Sequence, residues 1–156
     1  MRQRTLLTIL FTLLLATVLT ACGGAPKVDW ELEIKGAVSN PMTLSYNDLV
    51  KREQVDLTEV MMLKSQGEDE LTSWSGPALA PLLAEAGISA NAVTLVCMAA
   101  DGYAKEIPIS DLDNAIIALK RDGEWTTDDK GPIRIVVPNL PANNWLFQLT
   151  SIEVTE

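Results

Sequence analysis

Turn formers constrain this chain more than any other feature. From Trp30 onward each apolar stretch is soon interrupted, at Gly36, Asn40-Pro41, Gly67, Gly76-Pro77, Gly87, Asp101-Gly102, Asp122-Gly123, Gly131 and Pro138. Glycine admits positive φ, proline removes a backbone donor, and Asp-Gly favours tight hairpins. Only strands and short helices fit between such breaks. Trp30 to Gly36 alternates apolar and charged residues, the pattern of a half-buried strand. Val55 to Val60 alternates again, Met61 to Leu63 continues it, and Thr72 to Trp74 re-enters strand. Val93–Met98, Ala115–Leu119 and Ile133–Val137 are continuous apolar runs, read as buried strands. Tyr103–Ile107 returns antiparallel after the Asp101-Gly102 turn. Trp145–Val154 predicts a closing strand with Leu146, Gln148 and Thr150 on one face and Phe147, Leu149 and Ser151 on the other. Ser45 followed by Asp48 predicts a capped helix through Val50. Leu82, Leu83 and Ala86 share a helical face that ends at Gly87, with the helix starting near Pro81, where proline suits the first turn. Ser110 to Leu112 predicts one more turn of helix. There is no internal repeat and no strand–helix–strand rhythm. The class is α+β, with a mixed, mainly antiparallel sheet and short helices.

The first residues are an address. Arg2 and Arg4 precede the apolar run Leu6–Leu19, which matches a signal-peptide core and is short for a membrane span. Leu19-Thr20-Ala21-Cys22 resembles a bacterial lipobox, in which the cysteine is lipidated and becomes the mature N-terminus. That resemblance implies a signal peptide over 1–21, a lipidated tether over 22–27 and one domain over 28–156. Two or more acyl chains hold a protein stably on a membrane. The expected location is extracytoplasmic, lipid-anchored through Cys22 to a bacterial membrane. Without Arg2 and Arg4 the chain keeps 10 basic residues against 21 acidic ones. So acidic a surface argues against nucleic acid or anionic lipid as partners.

Composition narrows the chemistry. There is no histidine and there are two cysteines. Serine–histidine and cysteine–histidine catalysis are excluded, and zinc loses its usual ligands. Cys97 lies within an apolar run and reads as a small core side chain. Glu68-Asp69-Glu70 and Asp128-Asp129 lack the alternating oxygen spacing of a calcium loop. No glycine-rich phosphate loop is present, and no metal site is expected.

The domain resembles the sulfite-oxidase-type molybdopterin-binding family. The resemblance is carried by Trp74-Ser75-Gly76 leading into Leu79, Leu82, Leu83 and Ala86-Gly87, then by Asp101-Gly102-Tyr103, Glu106-Ile107-Pro108 and Asp111-Leu112. It continues through Lys130-Gly131-Pro132-Ile133-Arg134-Ile135-Val136-Val137-Pro138, Trp145, and Leu149 to Val154. The family's catalytic members bind molybdenum through a cysteine in the loop after an early strand. Here that segment, Glu59 to Gly67, contains none. Cys97 falls after the Trp-x-Gly helix and is not its equivalent. The resemblance therefore implies a short, non-catalytic branch that binds a pterin or molybdopterin-like ligand and signals to a membrane-bound partner.

A pterin needs an aromatic or apolar wall and a few fixed polar groups. Arg134, a lone charge in an apolar strand, is the leading polar candidate; its alternative is an ion pair with one of the many acids. Tyr103 and Asp101 follow a buried strand at a turn. Trp74 and Trp145 offer stacking faces or simply pack the core. Lys64, Ser65 and Gln66 occupy the segment that would hold the metal cysteine. Two other functions stay open: a molybdenum-cofactor oxidoreductase, and a ligand-free interaction or assembly domain.

Overall fold

A computed structural model describes residues 24–127 and 131–156. The expected signal peptide, Cys22 and residues 128–130, within the expected polar loop, lie outside the described residues. Strand β1 (Glu31–Gly36) leads to β2 (Met42–Ser45), helix α1 (Tyr46–Lys51), β3 (Val55–Met62), β4 (Glu70–Gly76) and helix α2 (Leu79–Ala86). The chain then forms β5 (Thr94–Ala99), β6 (Ala104–Pro108), β7 (Ile116–Ala118), β8 (Lys120–Arg121), β9 (Glu124–Trp125), β10 (Arg134–Val136) and β11 (Leu149–Thr155). The described residues also include two 3₁₀ turns, Ile109–Asp111 and Ala142–Asn144.

The strands form a five-stranded sheet ordered β2-β1-β11-β5-β6, a four-stranded sheet ordered β3-β4-β8-β9, and the pair β10-β7. Only β1 against β11 is parallel; every other strand pairing among the described residues is antiparallel. The α+β reading with a mixed, mainly antiparallel sheet holds.

Apolar alternation puts the core where the sheets face each other. Leu32 and Ile34 of β1, Leu95 and Cys97 of β5, and Ile152 and Val154 of β11 point inward. They meet the run Ala115–Leu119, buried at every position, and Ile133, Ile135, Val136 and Val137, buried on either side of the half-buried Arg134. Leu79, Leu82, Leu83 and Ala86 give α2 its buried face. Helix α2 starts two residues before Pro81, which sits in its first turn. Ser45 caps α1 as expected: its hydroxyl accepts from Asp48 N, and Asp48 accepts from Ser45 N. Glycine is required at 76, because a Cβ there would lie 2.0 Å from the Ile117 carbonyl oxygen. That close approach lays β4 across β7.

The closing segment departs from the expected strand. It begins at Leu149, not Trp145, and Gln148 has φ 54, in the left-handed region. The strict alternation predicted across Trp145–Val154 therefore breaks. Leu146 and Leu149 are both buried, whereas Phe147 between them is exposed. Pairing of β11 with β5 is also irregular between Leu149 and Ser151.

Candidate ligand-binding cleft

The break at Gln148 makes the site. Gly131, at φ +76, passes so close to Gln148 that a Cβ would lie 2.4 Å from its backbone nitrogen. Three backbone hydrogen bonds fix the segment: Ile135 N to Leu146 O at 3.0 Å, Leu149 N to Ile133 O at 3.1 Å, and Ala100 N to Gln148 O at 2.9 Å. Between them Arg134 and Phe147 form an isolated antiparallel bridge. Directly opposed residues project to the same face, so Arg134 and Phe147 emerge together.

Arg134 is mostly buried and oriented by its neighbours. Its Nε donates to the Trp145 carbonyl at 3.1 Å. The guanidinium carbon lies 5.1 Å from the Trp74 ring centroid and 5.9 Å from that of Phe147. Burial, aided by the nearby charge of Arg121, pushes its pKa down to about 10, which leaves it charged at neutral pH. None of the ion pairs among the described residues includes Arg134. Its single hydrogen bond to a described residue uses Nε, so the planar fork of Nη donors is free to serve a ligand.

Arg134, Trp145, Phe147, Tyr103, Asp101 and Asn143 line a solvent-open cleft of about 130 Å³. Drug-sized ligands occupy pockets of roughly 300–1,000 Å³, so this cleft is small and has room for only part of such a ligand. Tyr103 is 54% exposed on the rim. Asp101 Oδ1 accepts from Tyr103 N at 2.9 Å, which shapes the β5–β6 turn. Asp101 thus positions Tyr103 as well as bordering the cleft.

The other candidates are placed differently. Trp74 does not border the cleft: it is 1% exposed, with Nε1 donating to Thr72 Oγ1 at 2.8 Å. It supports Arg134 from beneath. Trp145 borders the cleft but is 2% exposed, and its Nε1 donates to the carbonyls of Val137 and Leu140. The two indoles meet edge to face at 6.2 Å, a core contact rather than a pair of stacking walls. Lys64 and Ser65 are exposed and outside the cleft. Lys64 Nζ pairs with Glu70 at 2.7 Å, and Lys64 N donates to Asp69 Oδ1 at 2.9 Å. These hydrogen bonds spend the loop on its own ends. Gln66 is exposed in the same loop.

That loop is still a neighbour of the cleft. Ala142, on the 3₁₀ turn that walls it, donates N–H to the Leu63 carbonyl at 2.9 Å. The segment in which the family resemblance leads one to expect a metal cysteine therefore adjoins the Arg134 cleft. A molybdenum centre of that kind needs a soft thiolate. Leu63 to Gly67 supplies none. Cys97 is 0% exposed in β5, and burial pushes its pKa up to about 12, so it stays a thiol. The residues do not fit the metal. The arginine fork and aromatic rim do fit a flat heterocycle.

Sequence reasoning missed Phe147, Ala142 and Asn143. Pro141 followed by Asn143-Asn144 is a turn signal that points to the 3₁₀ turn. Phe147 carried no such signal, since a glutamine at positive φ has no sequence signature.

The fold is that of a mixed-sheet α+β domain, and the chain belongs to the oxidoreductase molybdopterin binding domain family, whose model matches residues 22–156. It is 30% identical to a nitrate reductase [NADH] of Volvox carteri over 86% of this chain and 20% of that protein. It is 25% identical to an uncharacterized oxidoreductase, YuiH, of Bacillus subtilis (strain 168), over 71% of this chain and 58% of that one. The sulfane dehydrogenase SoxCD from Paracoccus pantotrophus superposes with a TM-score of 0.70 at 22% identity, over 84% of this chain and 40% of that chain. The chain thus spans from a fifth to under two thirds of each of these proteins.

Proposed function

We propose that this domain binds a pterin-type heterocycle in the Arg134 cleft and does so without molybdenum redox chemistry. The observation that carries the reading is Arg134 itself. It is a largely buried guanidinium, clamped by Trp74 and the Trp145 carbonyl, with a donor fork that no described carboxylate satisfies. Pterins present donors and acceptors along one edge and apolar faces, which matches a charged fork beside Phe147 and Tyr103. The missing thiol after β3 and the enclosed Cys97 support binding without metal. The reading includes an extracytoplasmic module, lipid-anchored through Cys22, that reports ligand occupancy to a membrane partner.

A second reading has support of its own: the three similar proteins above are named as a reductase, an oxidoreductase and a dehydrogenase. In it, a molybdenum cofactor binds without the usual thiolate.

Isothermal titration of the purified protein with oxidised and tetrahydro pterins tests the proposal. Binding is expected, and Arg134→Ala should weaken it by about 1.5–3 kcal/mol, the worth of a charge-assisted hydrogen bond. No heat with any pterin, together with an unchanged melting temperature, contradicts the reading.

A further inference from the structure

We propose that Phe147 is the specificity-determining residue of the cleft, selecting flat aromatic ligands over non-planar ones of equal charge. This rests on the cleft being a ligand site. Phe147 is 50% exposed, although Leu146 and Leu149 on either side of it in sequence are in the core. The backbone turns it outward. Gln148 is held at φ 54, Gly131 leaves no room for that backbone to relax inward, and the bridge to Arg134 fixes the direction. A non-glycine residue in the left-handed region costs folding free energy, and so does a phenyl ring left in water. Strain of this kind persists where the surrounding structure over-determines it, commonly at ligand sites.

The geometry also says which ligand profits. Among the described residues the ring–ring contacts are Tyr46 with Trp125 and Trp74 with Trp145. Neither Phe147 nor Tyr103 is taken up by another ring. Phe147 sits 5.9 Å from the Arg134 guanidinium carbon. A ligand whose edge meets the arginine fork therefore brings its face to the phenyl ring. A flat aromatic acid gains the charge and a stacked face; a puckered acid gains the charge and only a looser apolar contact.

The test is equilibrium binding of 6-carboxypterin and of cyclohexanecarboxylate to the full protein and to Phe147→Leu and Phe147→Tyr. Both probes carry a carboxylate for Arg134, and one alone is flat. The wild-type protein should prefer 6-carboxypterin. Phe147→Leu should lose about twofold to tenfold on that probe, as expected of one stacking contact, and lose distinctly less on cyclohexanecarboxylate. Phe147→Tyr should retain the preference. Equal affinity of wild type and Phe147→Leu for 6-carboxypterin overturns the role of Phe147 alone. Equal losses on both probes also overturn it, since they report a damaged site. Failure of the wild type to bind either probe removes the cleft reading itself.

Discussion

Arg134 and Cys97 show how burial assigns different jobs to two polar side chains. Both titrate away from their ordinary values, and desolvation is the first cause in each case. Arg134 keeps its charge at neutral pH and faces a cleft. Cys97 keeps its proton and faces the core. Its thiol should therefore resist a disulfide reagent at pH 8 in the native protein and react fully once denatured, measured by thiol release. Rapid native labelling would show an accessible thiolate and favour a metal-ligating role. At this scale the sequence was legible for charge and for absence. A lone arginine in an apolar run, and a loop without cysteine, were both visible. Whether an indole forms a wall or lies beneath one was not, because packing that composition does not encode sets Trp74 behind the cleft and Trp145, though buried, at its border.

Elements were legible wherever one residue type dictates backbone. The capping box at Ser45 and Asp48, the Pro81 first turn, and the hairpin at Asp101-Gly102 all follow from local chemistry. The closing strand was not legible, because Gln148 adopts a backbone that favours glycine and only its contacts hold it there. The Gly131–Gln148 contact is thus the joint on which the cleft depends. Gly131→Ala should lose roughly 1–2 kcal/mol from its positive φ alone, and more from the clash with Gln148. A melting temperature lower by several degrees, with weaker pterin binding, is the expected result; an unchanged melting temperature would show that the joint relaxes freely.

The loop beside the cleft has its own tie. Glu70 accepts from Lys64 and from Arg121, and these hydrogen bonds hold its carboxyl below the ordinary value of 4.5. A depressed carboxylate stabilises the fold above its unfolded pKa, and that contribution is lost as pH falls through the folded value. Thermal stability should therefore fall with acid below about pH 4.5, and less steeply in Glu70→Gln. Identical acid profiles would show that the tie contributes nothing, as exposed pairs often do.

For the whole molecule, the family fold covers part of each relative's length, and a largely buried arginine faces a small cleft beside a loop that has no cysteine. The acidic composition weighs against nucleic acid as a partner, and in the proposed reading the Arg134 charge suits a neutral or weakly acidic heterocycle. Pterin binding and molybdenum binding separate cleanly in one measurement. The protein is purified from a host that makes molybdenum cofactor, and pterin and molybdenum per chain are quantified on the same sample. Pterin without stoichiometric molybdenum is the predicted result. One molybdenum per chain would contradict it and establish the metal-dependent oxidoreductase.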